Sequence, residues 1–246
     1  SGSEATAAEP TKRPSGLSEQ GPVRDVSGFS DFVETANSVG AGILSRITVR
    51  PYGVLGAQRL KRTGRIEDKG GPPGPDVVIM DPAGLTYILE GPAKAGAASG
   101  AIYEWLGIRK DPSFPEDVLQ TINQPRTAKL HVYGEKACIH CVGPNFTQAD
   151  AGVSYEWALA ELADAYRAAL RELAASGFRR CRLLPLSSGN FAGKFIYELP
   201  QLTSQALQQA FSELDSEQRA LLMDAELDLC IYLEKELPEY EAAFKL

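Results

Sequence analysis

The stretch LADAYRAALRELAASGFRRCRLLPLSSGNFAGK, residues 162–194, runs from a helical pattern through a glycine into a short apolar strand and then a loop. Extended back to Tyr155, its residues Tyr155, Ala158, Leu159, Leu162, Ala165, Tyr166, Ala169, Leu170 and Leu173 fall on one stripe of a helix, and Gly177 stands where a C-terminal cap belongs. Arg179 to Leu184 reads as a strand that Pro185 stops. Gly189 and Gly193 let the chain bend tightly around Ser187, Ser188 and Asn190. Such a loop can aim amide N–H groups at an anion, although an ordinary strand-to-helix connection accounts for the same residues.

Upstream, DVVIM at 76–80 is a continuous, largely β-branched run, as expected of a strand covered on both faces, and it ends in the turn sequence Asp81-Pro82-Ala83-Gly84. The segment GPAKAGAASGAIYEWLG, 91–107, places small residues just before the helical spacing of Ile102, Trp105 and Leu106. A small-residue loop that opens a helix lets a ligand approach amides at the positive end of the helix dipole, and close packing against a sheet uses the same residues. A first strand is expected near Ile47 to Val49. YGVLGAQRLKRTGRI, 52–66, reads as a strand or hairpin with one wet face, its Arg59, Lys61, Arg62 and Arg65 offering a phosphate- or RNA-binding patch as the functional alternative. A short helix near Pro115 to Ile122 precedes a hairpin of Lys129 to Tyr133 and Lys136 to Val142 about Gly134. Beyond the opening stretch come a helix through Leu199 to Phe211, a strand at Leu227 to Leu233 and a helix near Pro238 to Phe244. Strands alternating with helices imply an α/β fold with a mixed, mostly parallel sheet covered on both faces, whose ligands sit at the carboxyl ends of strands.

The chain has 246 residues, 43% of them hydrophobic and 23% charged, in keeping with a globular protein. A net charge of −7 argues against a general nucleic-acid or anionic-membrane binder while leaving room for a local basic patch, and no apolar run reaches the ~20 residues that span a bilayer. Residues 1–27 are rich in Ser, Pro, Glu, Gly and Ala and read as a flexible leader, with a docking piece around Phe29, Phe32 and Val33. The expected organisation is a flexible N-terminal extension, 1–42, and one domain, 43–246. Cys138, Cys141, Cys181 and Cys230 all lie in apolar strand-like runs, which suits reduced thiols and an intracellular location, cytoplasmic or nuclear. Cys138 and Cys141 form a CxxC inside a strand, where residues three apart point to opposite faces, so no metal is expected. His131 and His140 are strand residues, and neither GxSxG nor GxxxxGK[ST] occurs.

IHCVGPNF, Ile139 to Phe146, followed by the 162–194 stretch, resembles the macro domain family, the ADP-ribose-binding α/β/α module, and its alphavirus type in particular. VVIMDPAGL is similar to the strand that in the family ends in an Asn-Ala-Ala-Asn turn before Pro, and GAASGAIYEW to the Gly-rich loop after it. The resemblance covers residues from about 45 to the C-terminus. It implies a three-layer α/β/α sandwich holding ADP-ribose in a cleft, the diphosphate between two loops, with no cofactor. By position, Gly96, Ala97, Ala98, Ser99 and Gly100 would form the first loop, and Ser187, Ser188, Gly189, Asn190 and Phe191 the second, Phe191 beside the distal ribose. Some members hydrolyse ADP-ribosyl esters with a water near the phosphates and a ribose-contacting Asn.

This chain departs from that pattern. Val78 and Asp81 stand where the two asparagines would, which replaces an amide donor by an acceptor-only carboxylate. Ala97 replaces a usual glycine, the adenine-binding Asp has no counterpart in ITVRPYGVLG, and the second loop is one residue shorter before Ser187. Three functions follow from the resemblance: a module binding ADP-ribose or an ADP-ribosylated protein; a degenerate domain that contacts another protein; or a mono-ADP-ribosyl hydrolase, with Asp81 as its candidate general base.

Overall fold

The computed structural model describes residues 39–150 and 152–245. The flexible leader and the piece around Phe29 lie outside the described residues. Residues 39–44 form a helix, α1, that buries Ile43 and Leu44, so residues 39–42, assigned to the extension, are helical.

Six strands make the central sheet: β1 (Ile47–Arg50), β4 (Val77–Asp81), β5 (Ala128–Tyr133), β6 (Lys136–Cys141), β7 (Arg180–Leu183) and β8 (Glu226–Cys230), in the order β1-β8-β7-β4-β6-β5. All neighbours run parallel except the β5/β6 hairpin. Parallel neighbours need crossovers, and the helices supply them: α2 (Leu85–Glu90), α3 (Ala97–Leu106), α4 (Glu116–Thr121), α5 (Tyr155–Ser176), α6 (Leu199–Ser212), α7 (Ser216–Met223) and α8 (Leu237–Ala243). The result is a three-layer α/β/α sandwich. β4 lies between β7 and β6, and its five residues are all buried, as its unbroken apolar run predicts.

α5 is the long helix expected. Its apolar stripe is buried, the Ser154 hydroxyl accepts from the Trp157 amide at 3.2 Å, and Gly177 closes the helix at φ 78°. A cap of this kind contributes about 1 kcal/mol, and the left-handed turn suits a residue without Cβ. From α5, Glu172 accepts the Leu130 amide of edge strand β5 at 2.8 Å.

The antiparallel pair β2 (Ala57–Arg59) and β3 (Ile66–Asp68) stands apart as its own two-stranded sheet. Buried Arg182 of β7 ties its base down: Nη1 donates to the carbonyls of Val54 at 3.1 Å and Gly71 at 2.9 Å, Nη2 to that of Gly70 at 3.2 Å, and the guanidinium lies 5.2 Å from the Tyr52 ring centre. Gly56, at φ 90°, admits no side chain, because a Cβ there would lie 2.1 Å from the Gly71 oxygen.

Two helices were not called from the sequence, and one strand ends early. Leu85–Glu90 is helical although only six residues long. α7 was not expected, yet its capping box, Asp215 with Gln218, stands in the sequence. β8 ends at Cys230 rather than Leu233, because the chain beyond it turns to the hairpin, where Arg59 N donates to the Tyr232 carbonyl at 2.8 Å.

Candidate functional site

Asp81 is the last residue of β4 and pairs in register with His140 of β6. Its carboxylate is fully buried and surrounded by donors. Oδ1 accepts from Ser99 Oγ at 2.6 Å, while Oδ2 accepts from the Tyr103 hydroxyl at 2.6 Å and faces His140 Nδ1 at 2.8 Å. On the other side of the imidazole, Nε2 lies 2.8 Å from the Tyr133 hydroxyl. A proton on Nδ1 satisfies every member of this chain: Tyr133 donates to His140, and His140 donates to Asp81. Phe114 seals it, edge-on to Tyr103 at 5.1 Å and to His140 at 5.3 Å. Burial first, and then the Asp81 charge, push the Tyr103 phenol well above its ordinary pKa, so it stays protonated and donating.

This geometry corrects the placement of Asp81. The resemblance put it in a turn facing the ligand, where a general base would reach a water. Instead it is a strand residue whose two oxygens are occupied, and a base must approach the proton that it takes. Of the network residues, Tyr103 and Tyr133 were not singled out by sequence reasoning, and His140 only as a strand histidine. What could have found them is the carboxylate itself, since an aspartate closing an apolar strand has to find donors.

Ser99 of the first loop is drawn inward to Asp81, while Gly96, Ala97 and Ala98 remain exposed at the start of α3. No side chain caps that helix, so its first amides stay open to a ligand. Ala97 sits at φ 47°, in the region that favours glycine. Arg109 Nη1 holds the loop from behind, donating to the carbonyls of Pro92 at 2.9 Å and of Ala95. Gly100 packs closely, since a Cβ there would lie 3.0 Å from the Ala95 oxygen.

The second loop leaves the carboxyl end of β7. Buried Tyr166 of α5 fixes its start, donating to the Leu184 carbonyl at 3.1 Å and accepting the Leu186 amide at 2.9 Å. Ser187 is buried at φ 56°, and its hydroxyl donates to the Pro144 carbonyl at 2.6 Å. The Ser188 hydroxyl donates to Pro185 O at 2.9 Å. Ser188, Gly189 and Asn190 form the exposed tip, and half-buried Phe191 accepts the Phe146 amide at 2.9 Å. Pro144 and Phe146 follow β6, and β4 lies between β6 and β7. These contacts therefore form a strap across the carboxyl end of β4, with Asp81 beneath. Gly143 has to be small here, because a Cβ would lie 2.7 Å from Ser187 Oγ.

The two loops thus come to one end of the sheet. β4 and β7 are neighbouring parallel strands, and Ser99 ties the start of α3 to the end of β4. What they present outward is backbone, since the hydroxyls of Ser99 and Ser187 are used inside. A groove of about 280 Å³ lies elsewhere, lined by Gln124, Arg126, Arg167 and Arg171 among others. The four cysteines are free and buried, and burial raises each thiol pKa. Among the described residues no group of three or more His, Cys, Asp or Glu is placed to hold a metal ion, and no helix is long and apolar enough to cross a membrane.

A three-layer sandwich with two glycine-bearing loops over one end of its parallel strands places the chain among the α/β sandwich folds. More narrowly, the chain has the macro-domain fold. The Trypanosoma brucei macrodomain superposes with a TM-score of 0.52 at 16% identity, over 83% of this chain and 69% of that one. The same protein in complex with ADP gives 0.50 at 18% identity, over 83% and 71%. The alphavirus structure titled P23pro-zbd gives 0.51 at 20% identity over 80% of this chain, which spans only 23% of that larger one. No protein-family profile and no curated protein matches the sequence.

Proposed function

We propose that the domain binds ADP-ribose or a related nucleoside diphosphate, free or attached to a protein, with the diphosphate between the loops of residues 96–100 and 187–191. One observation carries this reading. Each loop holds an L-residue, Ala97 or Ser187, at positive φ, beside exposed backbone and at the same end of the sheet. Strain of that kind costs about 1 kcal/mol or more per residue and persists only where the surroundings impose it. Amides of Ala97 and Ala98 at the dipole end of α3, and those of Ser188 to Asn190, would supply the donors. The ADP in the Trypanosoma neighbour supports the same class of ligand. Four buried, free thiols suit a reducing, intracellular compartment.

Asp81 takes no part in the proposed chemistry beyond support. Its donors hold the start of α3 against β4, which makes it a positioning residue for the first loop. A hydrolase would need another base.

Titration calorimetry with ADP-ribose tests the proposal. A saturable heat is expected, abolished by Ala98→Glu, which sets a carboxylate beside the diphosphate. No heat and no thermal shift at millimolar ligand would leave the second reading, a domain that contacts another protein. That alternative draws on the internal use of the Ser99 and Ser187 hydroxyls.

A further inference from the structure

The β2–β3 hairpin is a basic arm on an acidic molecule. Between Ala57 and Lys69 stand five cations, Arg59, Lys61, Arg62, Arg65 and Lys69, against two carboxylates, in a chain of net charge −7. Both carboxylates are engaged: Glu67 pairs with Lys69 at 2.8 Å, and Asp68 accepts the Gly71 amide at 2.8 Å. Glu234 meets the start of the turn, where it accepts the Lys61 amide at 2.6 Å. Arg59, Lys61, Arg62 and Arg65 are exposed, and their side chains have no hydrogen-bond or ion-pair partner among the described residues.

The arm is built to hold its shape. Its tip is closed by Leu60 N to Arg65 O and Gly64 N to Leu60 O, both 2.9 Å, its base is gripped by Arg182, and its β2 edge is held by the Arg59 amide on the Tyr232 carbonyl. Tyr232, 40% exposed, stands beside that base. Cations left unpaired on a fixed turn, next to an exposed ring, match what a flexible polyanion with stacking bases requires. Three of the four are arginines, whose planar fork fits phosphate oxygens. A lipid surface would call for several apolar side chains to insert, and the arm offers Ile66 alone, followed by Glu67 and Asp68. At physiological salt the acidic body is screened beyond about 8 Å, so the local charge of the arm decides.

We propose that this hairpin is a docking arm for single-stranded nucleic acid, Arg59, Lys61, Arg62 and Arg65 contacting phosphates and Tyr232 offering its ring to a base. This site shares no residue with the two loops of residues 96–100 and 187–191, and it takes up the local basic patch that the net charge leaves open.

The test is fluorescence anisotropy of a short labelled single-stranded RNA with the full chain across a salt series. Four phosphate contacts predict a slope of about −2.8 in log affinity against log salt, hence a loss of about 50-fold between ~50 and ~200 mM. Arg62→Ala with Arg65→Ala should bind more weakly at low salt and lose only about 7-fold over the same range, as two contacts predict. Circular dichroism should match wild type, and ADP-ribose calorimetry should be unchanged, which separates this arm from the cleft. Equal RNA affinity for wild type and variant would overturn the proposal. So would tighter binding of a duplex of the same sequence, or capture by phosphatidylserine vesicles without capture of RNA.

Discussion

Asp81 shows how a single residue changes meaning once its neighbours are known. As a bare aspartate it invites a catalytic role; with Ser99, Tyr103 and His140 around it, it becomes a fastener between β4, α3 and β6. Removing the buried carboxylate leaves neutral donors unsatisfied, at a cost of about 1–3 kcal/mol each. Asp81→Ala should therefore lower the unfolding free energy, measured by urea titration, by at least that amount, and Asp81→Asn by less, since the amide keeps one acceptor. A cost below about 1 kcal/mol would mean that the network contributes little. Ala97 makes the opposite case. At φ 47° glycine is the relaxed residue, so Ala97→Gly should stabilise the domain by about 1 kcal/mol, read as a higher melting temperature. The carboxylate was legible in DVVIMDPAG. Its partner was not, because only the parallel register of β4 on β6 brings His140 alongside from 59 residues away.

Among elements, those with a repeating face were the most readable. The 3.6-residue stripe of α5 and the apolar run of β4 each declare their surroundings, whereas α2 is six residues long with one buried side chain, too short for a period to emerge. The end of β8 was misread because its apolar run continues past the strand: Ile231 still bonds the Arg50 carbonyl of β1, whereas Tyr232 and Leu233 run on to meet β2 of the hairpin. The junction of α4 with β5 supplies a pH dependence. Asp117 faces His131 Nδ1 at about 2.9 Å. Burial pushes the Asp117 carboxyl up, but the hydrogen bond and charge of His131 outweigh it, so the group lies below the ordinary aspartate value. A depressed carboxylate contributes stability that is present above its unfolded value near ~3.9 and is lost as pH falls through the folded value. Asp117→Asn should thus lower the unfolding free energy across the neutral range and converge with wild type as pH falls below about 4, so that the acid limb is flatter, measured by denaturant titration at each pH.

For the molecule as a whole, layer order and the meeting of two distant loops followed from sequence pattern, because alternation of strands and helices admits few topologies. Net charge averages over a surface on which an arm of five cations and an acidic body coexist; the cations were legible at 59–65 as a cluster, and the fold adds that they stand on a hairpin apart from the main sheet. A sheet with five parallel partners and one antiparallel border also has to end somewhere, and it ends at β5, where Val132 is 48% exposed. The carboxylate that Glu172 lends to Leu130 occupies an outward-facing amide that another polypeptide could otherwise claim. Glu172→Ala should therefore make concentrated solutions sticky: sedimentation velocity is expected to reveal copy-to-copy adhesion rising with concentration, against a wild type that stays monodisperse under the same conditions. One acidic side chain, borrowed from the neighbouring helix, would then set the shelf life of the whole assembly of strands.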